Sequence, residues 1–265
     1  MTPIIPEDIV TLATDMFPRI ITSIVLLLIL IGLSYWQRIE MEKLFLISFT
    51  RGLIQIILMA TILIVIFELQ NLWILYIILL FMCSFAAITA KRRFPYPNIF
   101  QIELFSITVG SISVMTFVMI VEIIPTEGTY IIPMGGMVIA NVMVMTTIVL
   151  ERIVADVKKS KGIIEAALAL GDTPWNAVRS ITRDSFRAGL LPSTNRVAVL
   201  GIVTIPGLMS GMIIGGINPI EAAIYQVIIF LMILVGGFIG ELIIGFFFIK
   251  ELFTTEDQLR LALIN

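Results

Sequence analysis

Seven stretches of this chain are apolar for about as long as a helix needs to cross a hydrocarbon layer, and no other property restricts its fold so strongly. A crossing takes roughly 20 predominantly apolar residues. Residues 20–36, 44–67, 72–90, 102–124, 130–150, 197–214 and 220–249 qualify, each bounded by charge, proline or glycine. In lipid every backbone N–H and C=O must be paired within the protein, which leaves only helices and closed barrels, and runs of this length predict helices. The expected fold is therefore all-α, a polytopic membrane protein with seven transmembrane helices. The charged fraction of 14% agrees, since soluble domains carry about one quarter.

The basic residues orient the spans. Arg38, Lys43 and Arg51 flank the first connection, and Lys91, Arg92 and Arg93 the third. Arg152, Lys158, Lys159, Lys161, Arg179, Arg183, Arg187 and Arg196 fall on the fifth, and Lys250 and Arg260 follow the last run. The second, fourth and sixth connections have none, and only Arg19 falls on the opposite side. The positive-inside rule then predicts an external N-terminus and a cytoplasmic C-terminus. Ahead of the first span, Ile4 to Phe17, broken by Pro6 and closed by Pro18, reads either as a short helix in the outer interface or as a tail. No cleavable signal is legible there, because Glu7, Asp8 and Asp15 precede the first basic residue. The last two spans form a tight hairpin, with Gly215 and Gly216 ending one helix and Asn218, Pro219 and Glu221 reading as N-cap, N1 and N3 of the next.

Only the fifth connection is long. Its middle carries Glu165-Ala166-Ala167, a strong helix former, and then Gly171-Asp172-Thr173-Pro174, which stops that helix and starts another with Asp172 or Thr173 as cap. From its residues alone the segment suits a basic amphipathic stretch resting on an acidic inner leaflet. It also resembles the EAA loop of ABC-transporter permeases, the coupling helix that docks on the ATP-hydrolysing subunit. Glu165, Ala166, Ala167, Gly171 and Ile181 carry the match, with Trp175 just past the bend; the Leu-Pro of the pattern arrives late, as Leu191-Pro192.

The run from Ile205-Pro206-Gly207 to Gly215-Gly216, then Asn218-Pro219-Ile220-Glu221-Ala222-Ala223 and Tyr225-Gln226, is similar to the Fet-type iron-export permeases and their plant aluminium-tolerance relatives. So is the stretch from Pro133 to Asn141 with its paired glycines. The resemblance implies a permease that exports a metal ion such as iron, a homodimer of this chain, and a separate ABC ATPase that binds the ATP and Mg, with no cofactor in this chain. The organisation it implies is a short external segment at 1–19, helices one to five at 20–151, a cytoplasmic coupling loop at 152–196, helices six and seven at 197–250, and a cytoplasmic tail at 251–265. Cell (inner) membrane is the expected location.

Depth along each span, at about 1.5 Å per residue, places Cys83, Ser111, Ser113, Asn141 and Thr204 near the central plane, with Met115 and Met143 close by. Asn141 is either part of a substrate path or half of an interhelical hydrogen bond, because an amide in lipid needs a partner. The methionines and Cys83 serve as packing or as soft ligands. Glu68, Glu122, Glu127 and Glu221 fall at the outer ends, where Glu122 and Glu221 are candidates for the substrate path, and Glu103 and Glu241 fall near the inner interface. No metal site is legible. Gly207, Gly211 and Gly215 share one face of the sixth span, as Gly236 and Gly240 do on the seventh, and both faces suit close helix packing. Pro206 should kink the sixth span and act there as a hinge.

Several activities are excluded or disfavoured. There is no Gly-Lys-Ser or Gly-Lys-Thr and hence no Walker A loop, so the chain is no ATPase itself. With no histidine and one cysteine it lacks the commonest general base, and no disulfide closes within it. A seven-helix receptor or retinal pump shares the orientation, but Lys250 stands at the end of the last span, where a Schiff base is poorly placed. Export of a small organic or nucleotide-sugar solute by the same architecture is the alternative to a metal.

Overall fold

The computed structural model describes residues 9–68, 71–94, 96–254 and 256–260, and among them every regular element is a helix. The chain divides into two compact units, Met1–Ile66 and Phe67–Asn265. In the first, α1 (Ile9–Trp36) and α2 (Glu42–Glu68) are joined by a turn in which Arg38 and Glu40 adopt positive φ, 54° and 61°. The Ser34 hydroxyl closes that turn by donating to Glu42 Oε1 at 2.9 Å. The expected interfacial helix at 4–17 is not a separate element. Residues 1–8 lie outside the described residues, and from Ile9 onward α1 runs unbroken through Pro18. One internal proline removes a single backbone bond, and the apolar run behind it has no alternative to helix in lipid.

The second unit is built on four long helices: α3 (Leu72–Lys91), α4 (Ile99–Ile120), α5 (Gly128–Lys159) and α10 (Pro219–Leu252). Between the last two lie α6 (Lys161–Ala169), α7 (Pro174–Ala177), α8 (Arg179–Ala198) and α9 (Gly207–Ile214). The helices α4, α5 and α10 pack on one another, α3 covers α4 and α5, α8 lies against both α5 and α10, and α9 rests on α10. Glycine sets the α4–α10 distance: a Cβ on Gly236 would stand 2.8 Å from the Gly110 carbonyl oxygen, and one on Gly240 would stand 3.4 Å from that of Ser106. The capping chemistry appears where the residues predict it. Asn218 Oδ1 accepts from the Ile220 N–H at 2.9 Å ahead of Pro219, and Gly216 takes φ +96°.

Six of the described helices are long and apolar enough to cross a membrane. The sixth predicted run, 197–214, is not one of them. Its first residues complete α8, residues 199–206 form an irregular turn, and only 207–214 are helical again. In the turn Gly201 adopts φ +79°, its N–H donating to the Thr204 carbonyl at 3.1 Å. Pro206 does not kink a helix here; it is the N-cap of α9, having no N–H with which to join the turn before it.

Helix α8 runs antiparallel to α5, and its side chains fix the register. Gly189 sits beside Val149, Ser193 Oγ lies 3.6 Å from Met145 Sδ, and Arg196 Nη1 donates to Asn141 Oδ1 at 2.9 Å. Arg196, read above as part of a charged connection, therefore shares the depth of Asn141, about 20 Å along α5 from Gly128. Hydropathy alone did not find this segment because Arg187, Thr194, Asn195 and Arg196 dilute its apolar residues.

Candidate functional site

Helices α6 and α7 close one end of the second unit. A Schellman turn links them: Gly171, at φ +89°, donates its N–H to the Leu168 carbonyl at 3.0 Å, and Asp172 donates to that of Ala167 at 3.1 Å. Thr173 then caps α7, its hydroxyl accepting from the Asn176 N–H, with Pro174 at N1. Asp172 supports the bend instead of capping it, accepting from the Thr173 N–H at 2.8 Å and from Asn176 Nδ2 at 3.1 Å.

This pair has two unlike faces. Ile164 and Val178 are buried in a cluster with Val149, Ile153, Ile244 and Phe248, and Leu168, Ala177 and Ile181 pack against it. That face ties the bend rigidly to the ends of α5 and α10. On the opposite face Ile163 is 75% exposed and Leu170 is 90% exposed, with Glu165 and Ala166 open between them. Ala167 is half-buried, so it supports the surface more than it forms it. Trp175 packs its ring edge-on to Phe246 at 5.8 Å, and beside it opens a groove of about 820 Å³ lined by Arg179, Arg183, Asp184, Phe186 and Arg187. Exposed apolar side chains rimmed by charge mark an interaction surface.

The intramembrane candidates do not converge on one point. Cys83 and Met115 are buried in the packing of α3, α4 and α5. Asn141 is half-buried and fully engaged, Nδ2 donating to the Met137 carbonyl at 2.8 Å and Oδ1 accepting from Arg196. Met143 is half-buried, and its carbonyl lies 3.0 Å from the Thr146 hydroxyl, whose single proton goes to the nearer Glu103 carboxylate. Glu122 and Glu221 are exposed at the α9 end of the unit, and Glu221 lines a groove of about 560 Å³ together with Asn218, Tyr225 and Ile123, the neighbour of Glu122. Around Gly207 and Gly211 a Cβ would meet no atom within 4 Å, so the face that promised close packing is open. Among the described residues no three His, Cys, Asp or Glu side chains are grouped to hold a metal.

Sequence reasoning understated two carboxylates. Glu103 and Glu241 fall near the ends of their runs, but both are 0% exposed. The Thr146 hydroxyl donates to Glu103 Oε2 at 2.9 Å; Glu103 Oε1 and both oxygens of Glu241 meet no donor among the described residues. Glu241 Oε1 occupies the space that a Cβ on Gly189 would need. The only signal in the sequence was the pairing of a polar α8 with glycine at position 189.

Comparison with known proteins places these features in a group. The model of the uncharacterised protein family UPF0014 matches residues 17–253. The chain is similar to the probable iron export permease protein FetB of Escherichia coli, 30% identical over 89% of this chain and 92% of that protein. It is likewise similar to the UPF0014 membrane protein STAR2 of rice, 30% identical over 87% and 81%, and to the protein ALUMINUM SENSITIVE 3 of Arabidopsis thaliana, 28% identical over 90% and 88%. No solved structure matches.

Proposed function

The chain belongs to the UPF0014 family of membrane proteins, and from that premise we propose that it is the permease subunit of an ABC transporter, a homodimer in the cell (inner) membrane that exports a metal ion such as iron. A partner ATPase binds the ATP and Mg. The observation that carries this reading is the two-faced α6–α7 bend: one face is locked into the core of the spans, and the other presents Ile163, Ala166 and Leu170 outward. A push on the outer face is thus delivered to the ends of α5 and α10 without loss in a loop. Residues 152–196 act as the coupling segment on the cytoplasmic side, with Glu165, Ala166, Ala167, Gly171, Trp175 and Ile181 at or beneath the docking surface. The similarity to the probable iron export permease protein FetB supports export and iron.

Seven crossings serve this function, with the N-terminus outside and the C-terminus in the cytoplasm. The sixth is discontinuous, made of the last turns of α8, the turn at 199–206 and α9. Irregular backbone at bilayer depth is tolerated where it faces protein or a water-filled path, and transporters use such breaks beside their substrates. Asn141 and Arg196 flank that break.

The coupling surface is tested by co-expressing the chain with its ATPase and measuring ATP hydrolysis and transport together. Ile163→Asp and Leu170→Asp, at exposed positions where folding has little to lose, should abolish assembly or leave ATP turnover without transport. Unchanged coupling in both variants sinks the assignment.

A further inference from the structure

The two buried carboxylates have no role in the coupling argument, and their surroundings call for one. Glu103 lies on α4, Thr146 on α5, Glu241 on α10 and Gly189 on α8, so each of the four helices that pack around this layer contributes one residue. Contacts chain them together. Thr146 donates to Glu103, a Cβ on Gly240 would stand 3.3 Å from Thr146 Cγ2, and Glu241 follows Gly240 and reaches Gly189. Three carboxylate oxygens in this layer, Glu103 Oε1 and both of Glu241, are enclosed without a protein donor.

The cationic side chains on the surrounding helices are not in place to neutralise them. Among the described residues, Arg152 pairs with Asp156, Arg93 with Glu151, Arg187 with Asp184 and Arg196 with Asn141. Arg179 and Arg183 are exposed and line the groove by Trp175. Neither carboxylate forms an ion pair with any of the described residues. An ionisable group inside a membrane bundle without a partner marks an ion pathway by default.

We propose that Glu103 and Glu241, with the Thr146 hydroxyl, form the binding station for the exported cation, and that the ion is a hard divalent metal. The donor set is oxygen throughout, which suits Mn(II) and similar hard ions and not the soft metals that Cys83 or the methionines would favour. Two carboxylates balance a charge of two. Helix α8 is the gate of this station: Gly189 lets it lie directly on the Glu241 carboxylate, and α8 continues from the α6–α7 bend, so motion of the docking surface uncovers or covers the site. This deepens the export reading and rests on it.

The experiment is ATP-driven uptake of Mn(II) into inside-out vesicles carrying the full chain and its ATPase. Glu241→Gln and Glu103→Gln should each lower uptake at least tenfold while ATP hydrolysis continues, and Glu241→Asp should keep a larger share. Gly189→Ala, which leaves both carboxylates in the sequence but pushes Glu241 aside, should raise the Mn(II) concentration for half-maximal uptake severalfold. Thermal melting of the two Gln variants in detergent should stay at or above the parent, which separates loss of the site from loss of the fold. Uptake by both Gln variants within twofold of the parent overturns the station and leaves the export reading standing. Retained uptake that has lost only its pH dependence also overturns it, by making these groups proton carriers. A parent chain that moves no divalent cation overturns the station and the metal-export reading together.

Discussion

Helices α9 and α10 both carry glycines four residues apart, yet the two sets have opposite surroundings. On α10, Gly236 and Gly240 lie against the backbone of α4, and Gly237 and Gly245 against side chains of α5 and α8. On α9, Gly207 and Gly211 touch nothing, and Gly215 meets only carbonyls of its own helix. Glycine spacing thus states that a close approach is sterically allowed, and the neighbours decide whether it happens. The difference follows from continuity. An unbroken helix of 34 residues holds its face against α4 for several turns, whereas α9 has only 8 residues and is cut off from α8 by the turn at 199–206.

Substitution at these glycines tests the contrast, and the effects should fall in a definite order. The largest is expected for Gly110→Ala or Gly236→Ala, where the new methyl meets backbone that cannot turn aside; overpacking of this kind costs about 1–3 kcal/mol. Thermal unfolding of the purified chain should show a lowered midpoint for both, and a midpoint equal to the parent would break the comparison. Gly245→Ala should do less, because its methyl meets the Phe186 ring at 2.6 Å and a ring can rotate away. A loss near 1 kcal/mol, with α8 as the element that loosens first in hydrogen exchange, would sharpen the claim that α8 and α10 share a tight seam. The smallest effect, and one of opposite sign, is expected for Gly207→Ala and Gly211→Ala. Alanine is favoured over glycine inside a helix by roughly 0.5–1 kcal/mol, and no neighbour opposes it here. Unchanged or slightly raised midpoints are predicted; a marked fall would mean that the open face is closed by a second copy.

Much of this architecture was legible in the residues. The apolar runs gave the six helices long and apolar enough to cross a membrane, because length and hydropathy are enough when lipid forbids other backbone. The caps at Gly171, Thr173 and Asn218 were legible too, since each rests on local chemistry within four residues. The break in the predicted run at 197–214 was not, and the reason is specific: the helix before the break, α8, is held on α5 by the bond between Arg196 and Asn141, partners 55 residues apart in the chain. The same applies to Glu241, whose position near the end of an apolar run suggested an interfacial residue. Only the packing of α8 over it makes it buried.

By itself the amino-acid order settled which segments form the six long apolar helices, where the capped helices start and stop, and to which family the chain belongs, because those properties depend on neighbours in sequence and on total apolar length. Tertiary structure alone decided that α8 lies along α5, that the run from 197 to 214 breaks in its middle, that one set of glycines is pressed and the other open, and that two carboxylates are buried without an ion-pair partner among the described residues. These depend on which distant side chains share a depth, and depth is set by helix register, which no local pattern records.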